Sequence, residues 1–200
     1  VELDFSRRHV VARLATHPVE GVDTPRRVYG AFRAALLGWA QVRGALCLHG
    51  ATLLQGERAV IFVGPSGAGK TTLVRSHPQL PALGDDLVLL TGPDGKSLAM
   101  GTAVRAWGSP FSGREGLASA RGQFPLRSAF RLRQGPRTAA WPCTPAQAVG
   151  ALAPHVFGLI ADDTSRRRTL EALAIVAQAV PVSLLDVSLD RSPFSLEELA

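Results

Sequence analysis

The sequence predicts an α/β fold built on a mixed sheet with flanking helices, and three observations carry that expectation. A β-rich run at 59–63 passes straight into the glycine-rich stretch GPSGAGKTT at 64–72, the strand-to-helix junction that a GxxxxGK[ST] loop requires. A second β-rich run, Ala45 to Leu54, precedes it across only Gln55–Gly56–Glu57–Arg58. So short a connection joins antiparallel neighbours and cannot house the crossover that parallel strands need. Downstream lie two amphipathic helical patterns and a last β-rich segment, Pro181 to Leu185.

Taken in order, alternating apolar and polar positions around Leu3 and Phe5, followed by Val10, Val11 and Leu14, predict a short antiparallel ribbon. Thr24 as N-cap and Pro25 at the first helical position open a helix whose Val28, Phe32, Leu36 and Trp39 form an expected core stripe ending near Gly44. After the glycine-rich loop a short helix reaches Arg75, and PALGDDLVLL at 81–90 supplies a strand from Asp86 to Leu90. Gly92 to Gly95 turns the chain into a further expected strand, Ser97 to Val104. Trp107 to Gln123, rich in Gly, Ser and Arg, reads as a loop or lid, and Ala129 to Leu132 as a strand. Thr144–Pro145–Ala146–Gln147 combines an N-cap, a first-turn proline and a capping-box Gln ahead of Val149, Leu152, Ala153 and Val156 on one helical face. A second helix runs from about Ser165 to Ala179. The expectation is one domain over 1–200, with 1–44 as an N-terminal ribbon and helix and 45–200 as the core.

Composition narrows the classes. At 46% hydrophobic and 19% charged, 200 residues suffice to bury about 70% of the unfolded surface. The net charge is +6, but only Lys70 and Lys96 are lysines, and the arginines scatter from Arg7 to Arg191 with one run at Arg166–Arg168, an exposed helix start more than a binding stripe. Nucleic acid is therefore not an expected partner. Cys47 and Cys143 cannot build a disulfide framework or a zinc site. No apolar run approaches the roughly 18 residues of a membrane span, and VELDFSRRHV lacks a secretory apolar region, so the expectation is a cytoplasmic protein with no membrane partner.

Gly64–Pro65–Ser66–Gly67–Ala68–Gly69–Lys70–Thr71 matches the phosphate-binding pattern in full. Glycines let successive N–H groups close around a β-phosphate, Lys70 adds a mobile charge at the β- and γ-phosphates, and the Thr71 hydroxyl can ligate Mg²⁺; Thr72 is the last of the residues expected to bind the nucleotide. Phosphoryl transfer also needs a carboxylate for the metal and one to accept the proton of the attacking hydroxyl. Asp85–Asp86, at a distance from Lys70 that fits one helix and a return, is the candidate pair, and either member can take either role. His49, in the run beside the loop strand, is placed to orient Asp85. His9, His17, His77 and His155 read as surface or structural.

LHGATL, VGPSGAGKTT and LGDDLVLL, in this order and spacing, resemble the kinase domain of the HPr serine kinase/phosphorylase family, which belongs with the phosphoenolpyruvate carboxykinase-like P-loop proteins. The resemblance extends through AWGSPFSGRE, PLRSAFRL and VPVSLLDVSLD, roughly residues 45 to 188. It is similar also to the shorter relatives of lasso-peptide and other modified-peptide pathways, which phosphorylate a serine of a precursor peptide. The resemblance implies a P-loop kinase fold with an antiparallel strand beside the loop strand, ATP (or GTP) and Mg²⁺ as cofactors, Asp85 as general base supported by His49, and Thr71 and Asp86 serving the metal. It implies a peptide or small-protein acceptor, and a homo-oligomer by analogy with the longer enzymes. Acceptor choice must come from what surrounds the cradle, and between Trp107 and Arg137 the mixture of Trp107, Phe111, Arg114, Arg121, Phe124, Arg127, Arg131, Arg133 and Arg137 is expected to hold an extended peptide, particularly one with acidic groups. The C-terminal segment tied to the reverse reaction is not found in the sequence. Two alternatives compete: a small-metabolite P-loop kinase, and a non-catalytic nucleotide switch or regulatory ATPase. The ATPase lacks an LSGGQ-like segment here, and intact Lys70, Thr71, Asp85 and Asp86 speak against a switch.

Overall fold

A computed structural model describes residues 2–4, 11–13, 24–108, 120–158 and 162–188. The N-terminal ribbon pairs β1 (Glu2–Asp4) with β2 (Val11–Arg13) antiparallel; Phe5, Val10 and Leu14 lie outside the described residues. The helix α1 (Thr24–Val42) stops before Gly44 as expected, but its stripe is displaced. Val28 and Phe32 are 36% and 65% exposed, whereas Ala31 and Ala40 are buried with Leu36, Leu37 and Trp39 partly so. Leu36 and Trp39 of the expected stripe pack on the core beside Ala40, while Val28 and Phe32 face solvent.

β3 (Leu46–Gln55) and β4 (Arg58–Val63) pair antiparallel from Gly50↔Val63 to Gln55↔Arg58, as the short turn requires. β4 is RAVIFV without polar alternation because both its faces are covered. Ala59, Ile61 and Val63 enter one core; Val60 and Phe62 enter the other, where Phe62 stacks on Phe130 with ring centroids 5.7 Å apart. After the glycine-rich loop come α2 (Lys70–Arg75), β5 (Ala82–Gly84) and β6 (Leu87–Thr91). β5 and β6 both pair antiparallel with β3, opposite its C-terminal and N-terminal halves, and Asp85–Asp86 interrupts the course between them. The strand expected from Asp86 therefore begins one residue later.

β7 is Arg105–Trp107, and the strand expected at Ser97–Val104 does not form. That segment turns instead: Thr102 N donates to Ala99 O, Leu98 N to Gly44 O, and Ser97 Oγ to Arg43 O, so its polar groups bind locally or to the end of α1 rather than to a ladder. β8 (Gln123–Gln134) is three times the expected length and runs parallel to both β4 and β11 (Val182–Val187), which makes the sheet mixed. β9 (Ala139–Pro142) edges β11, and β10 (Val156–Phe157) pairs with β3. The expected lid over 107–123 begins inside β7 and ends at β8, and residues 109–119 lie outside the described residues.

Two helices cover one face. α3 (Pro145–Leu152) stops short of Ala153 and Val156, which fall in a 3-10 turn and in β10, because Pro154 removes a backbone donor. α4 (Asp163–Ala179) begins two residues early, capped by Asp162 on Ser165 N at 2.7 Å. Leu152, Leu173 and Val176 pack on Leu46, Leu48, Ile61 and Val63, while Leu73 and Val74 of α2 pack on the other face. The expected box at Thr144 forms: Gln147 N donates to Thr144 Oγ1 at 3.4 Å and Thr144 N to Gln147 Oε1 at 2.9 Å. Thr144→Ala should therefore lower unfolding stability by about 1 kcal/mol, read from the midpoint of a urea transition at unchanged slope. Among the described residues no helix is long and apolar enough to cross a membrane.

Candidate phosphate-transfer site

Three sequence motifs meet at one level of the sheet. Gly50 pairs with Val63, the last residue before the loop, and its N–H donates to Asp86 O at 3.3 Å. A Cβ at Gly50 would lie 2.8 Å from Phe62 O, so only glycine lets β3 pass this close to β4. The same row continues to Arg131 of β8, in parallel register with Val63. His49, the start of the loop and the Asp85–Asp86 break are thus neighbours by strand pairing alone.

The loop is built as its glycines require. Gly67 and Gly69 adopt φ of 79° and 95°, values that an L side chain rarely takes, and nothing lies within 4 Å of where a Cβ would stand on either. Gly69 caps α2 without a side-chain donor or acceptor, which leaves the first amides of that helix facing the loop. Gln134 Nε2 braces the loop from β8 through Gly67 O at 3.3 Å. Lys70 is buried and folds back, its Nζ donating to Gly64 O at 2.7 Å and to Pro65 O at 3.0 Å. Burial lowers its pKa, and the Asp86 charge opposes that shift.

A cavity of about 530 Å³ gathers the expected residues: Ser66, Gly67, Gly69, Lys70, Thr71 and Thr72 on one side, His49, Asp85 and Asp86 on the other. Gly64 and Ala68 are buried beneath the loop. Asp85 is 5% exposed. Asp86 is gripped at both oxygens: Arg33 Nη1 donates to Oδ2 at 2.7 Å, and His49 Nδ1 lies 3.2 Å from Oδ1 and 3.0 Å from the Asp86 carbonyl. A carbonyl only accepts, so Nδ1 carries the hydrogen. The His49 hydrogen bond, aided by the Arg33 charge against the cost of burial, holds the Asp86 carboxyl below the usual range. The His49 bond described is thus to Asp86, where the sequence reading coupled His49 to Asp85. Phe157 steadies both partners, with Arg33 over its ring at 4.4 Å and His49 edge-on at 5.4 Å.

A second cavity, about 570 Å³, shares Asp86 and His49 with the first and is walled by Arg33, Arg131, His155 and Phe157 beside Gly64–Ser66. Arg33, His155 and Phe157 escape sequence reasoning because none belongs to a local motif. His155, read from sequence as surface or structural, is buried; burial first, then the charges of Arg131, Lys70 and His49, press its pKa down to about 4. Of the residues expected to meet an acceptor, several are committed elsewhere. Trp107 Nε1 donates to Thr91 Oγ1 at 2.9 Å, Phe124 packs on the main core, Arg127 donates to Gln55 at 2.8 Å, and Arg133 to Asp186 at 2.8 Å. Arg121 and Arg137 are exposed, and Phe111 and Arg114 lie outside the described residues.

Among the described residues no group of three or more His, Cys, Asp or Glu is placed to hold a metal ion. Thr71 and Asp86 do share one cavity with Lys70, a donor set that suits Mg²⁺, which keeps waters and phosphate oxygens and needs only one or two protein ligands.

No known family profile and no curated sequence matches the chain. Among solved structures the chain is similar to the Hpr(Ser) kinase/phosphatase from Coxiella burnetii, with a TM-score of 0.41 and 12% identity, covering 76% of this chain and 84% of that one. This is a distant likeness of fold, and nothing about activity follows from it.

Proposed function

We propose that the chain is a Mg²⁺-dependent P-loop kinase that transfers the γ-phosphoryl group of ATP to a serine, or less favourably a threonine, hydroxyl of a peptide or small protein. The observation that supports this most is the single cavity holding Lys70 and Thr71 of the glycine-rich loop together with Asp85 and Asp86. Loop amides and Lys70 would hold the phosphates, and GTP could use the same contacts. Mg²⁺ held by Thr71 and Asp86 would neutralise charge on the phosphate oxygens. Asp86, kept ionised by His49 and Arg33, suits a fixed negative charge better than a proton acceptor. Asp85 is therefore assigned the base: as the acceptor oxygen bonds to the γ-phosphorus and the bond to the ADP oxygen breaks, the hydroxyl proton passes to Asp85.

A second reading, a small-metabolite kinase, is favoured by one observation. The cavity of about 570 Å³ beside the loop has the size of an ordinary small-molecule pocket. Incubation with Mg²⁺, γ-labelled ATP and either serine peptides, including those encoded beside the gene, or a panel of sugars and nucleosides separates the two. Label on a peptide serine at the higher kcat/KM supports the proposal. Preferential labelling of a sugar or nucleoside replaces it with the second reading.

A further inference from the structure

Most of the charges near the loop are compensated. Arg33 meets Asp86, Arg133 meets Asp186, and Lys70 rests on two carbonyls. Arg131 is different. Its Nε is buried with no hydrogen-bond partner, and among the described residues no carboxylate pairs with it. Arg131 as a whole is half-buried, but a guanidinium N–H held out of water without an acceptor is costly, and its presence calls for a partner that completes the site. Next door, burial first and then the Arg131 charge lower the pKa of His155.

Its place in the fold says what that partner is. Arg131 stands in register with Val63, so its side chain emerges beside the residue that launches the loop. It walls two cavities, the one shared with His155 and another of about 370 Å³ shared with Gln134, and both include Pro65 and Ser66. Lys70 Nζ ends at Gly64 and Pro65 too, so the ammonium and the guanidinium converge on the same end of the loop. Lysine brings a point charge, and arginine a planar fork that can meet two oxygens of one anion.

We propose that Arg131 is a further catalytic residue, its guanidinium holding oxygens of the terminal phosphoryl group at the Gly64–Pro65 end of the loop during transfer. The proposal rests on the reading of residues 64–72 as a nucleotide phosphate site. In a loose phosphoryl-transfer transition state, charge spreads over the three equatorial oxygens, where a fixed forked cation binds more strongly than in the ground state.

The test is equilibrium binding of MgADP by the intact chain, with and without fluoroaluminate, which occupies the place of the phosphoryl group in flight. Fluoroaluminate should tighten MgADP binding to the wild type, and Arg131→Gln should cut that increment by roughly 10²–10³-fold, as for loss of one preorganised donor. Arg131→Lys, which keeps the charge and spares the fold, should cut it at least roughly tenfold because the fork is lost. MgADP affinity reports that each variant's loop is intact, and a merely structural Arg131 would move that affinity and not the increment. Equal increments in the wild type and either variant overturn the role of Arg131. A wild type that binds no MgADP overturns the nucleotide reading itself.

Discussion

Lys70→Ala should lower phosphoryl transfer by at least roughly 10²–10³-fold, the range for removing one preorganised electrostatic contact to the reacting group. Nζ of Lys70 sits on the carbonyls of Gly64 and Pro65, at the end of the loop where the terminal phosphates would lie. Truncation removes the charge and leaves both carbonyls without that donor, so the loop loses order as well as attraction. The helix behind it should persist, since Leu73 and Val74 anchor α2 in the core. Initial rates with labelled ATP, with a thermal melt as the control for folding, read the effect. A variant that folds and turns over like the parent would take the loop out of the mechanism.

Asp85→Asn is expected to cost roughly 10²–10⁴-fold in the transfer step, the usual contribution of a general base. Nucleotide should still bind, because the amide leaves the loop and Lys70 in place. Asp86→Asn should act differently: it removes the charge facing Arg33 and His49, and a raised Mg²⁺ requirement should accompany its loss of rate. The Asp86 carboxyl lies below its ordinary pKa, so its ion pair stabilises the fold at neutral pH and is lost only as pH falls through that lowered value. Metal titrations of the two variants side by side decide the roles. Should Asp85→Asn raise the Mg²⁺ requirement while Asp86→Asn abolishes transfer at saturating metal, the assignments are reversed.

What was legible in the sequence is what consecutive residues encode. AVIFV announces a strand, GPSGAGKTT a strand-to-helix loop, and Thr144–Gln147 a capped start, each by local chemistry. β5, β9 and β10, of three, four and two residues, carry no such signal; they are strands only because β3 and β11 offer them an edge. Ser97–Val104 fails in the opposite sense, since apolar spacing suggests a strand while turn bonds at Ala99–Thr102 remove it from any ladder. The site divides the same way. Lys70, Thr71, Asp85, Asp86 and His49 belong to motifs, and the structure brings them into one cavity. Arg33 and His155 come from a helix and a 3-10 turn far away in the chain, and Phe157 from a two-residue strand. Their position depends on how β3 is shared between β4, β6 and β10, which no local pattern specifies.

On the reading proposed above, residues 64–72 with Asp86 form a metal-dependent nucleotide phosphate site. Calorimetric titration of the intact chain with ATP, once with Mg²⁺ and once with the metal chelated, tests it most directly. One saturable site per chain is expected, whose affinity drops when Mg²⁺ is removed, and drops less in Thr71→Ala, which has already lost a metal ligand. No binding in either condition, or binding of equal strength with and without Mg²⁺, would contradict it.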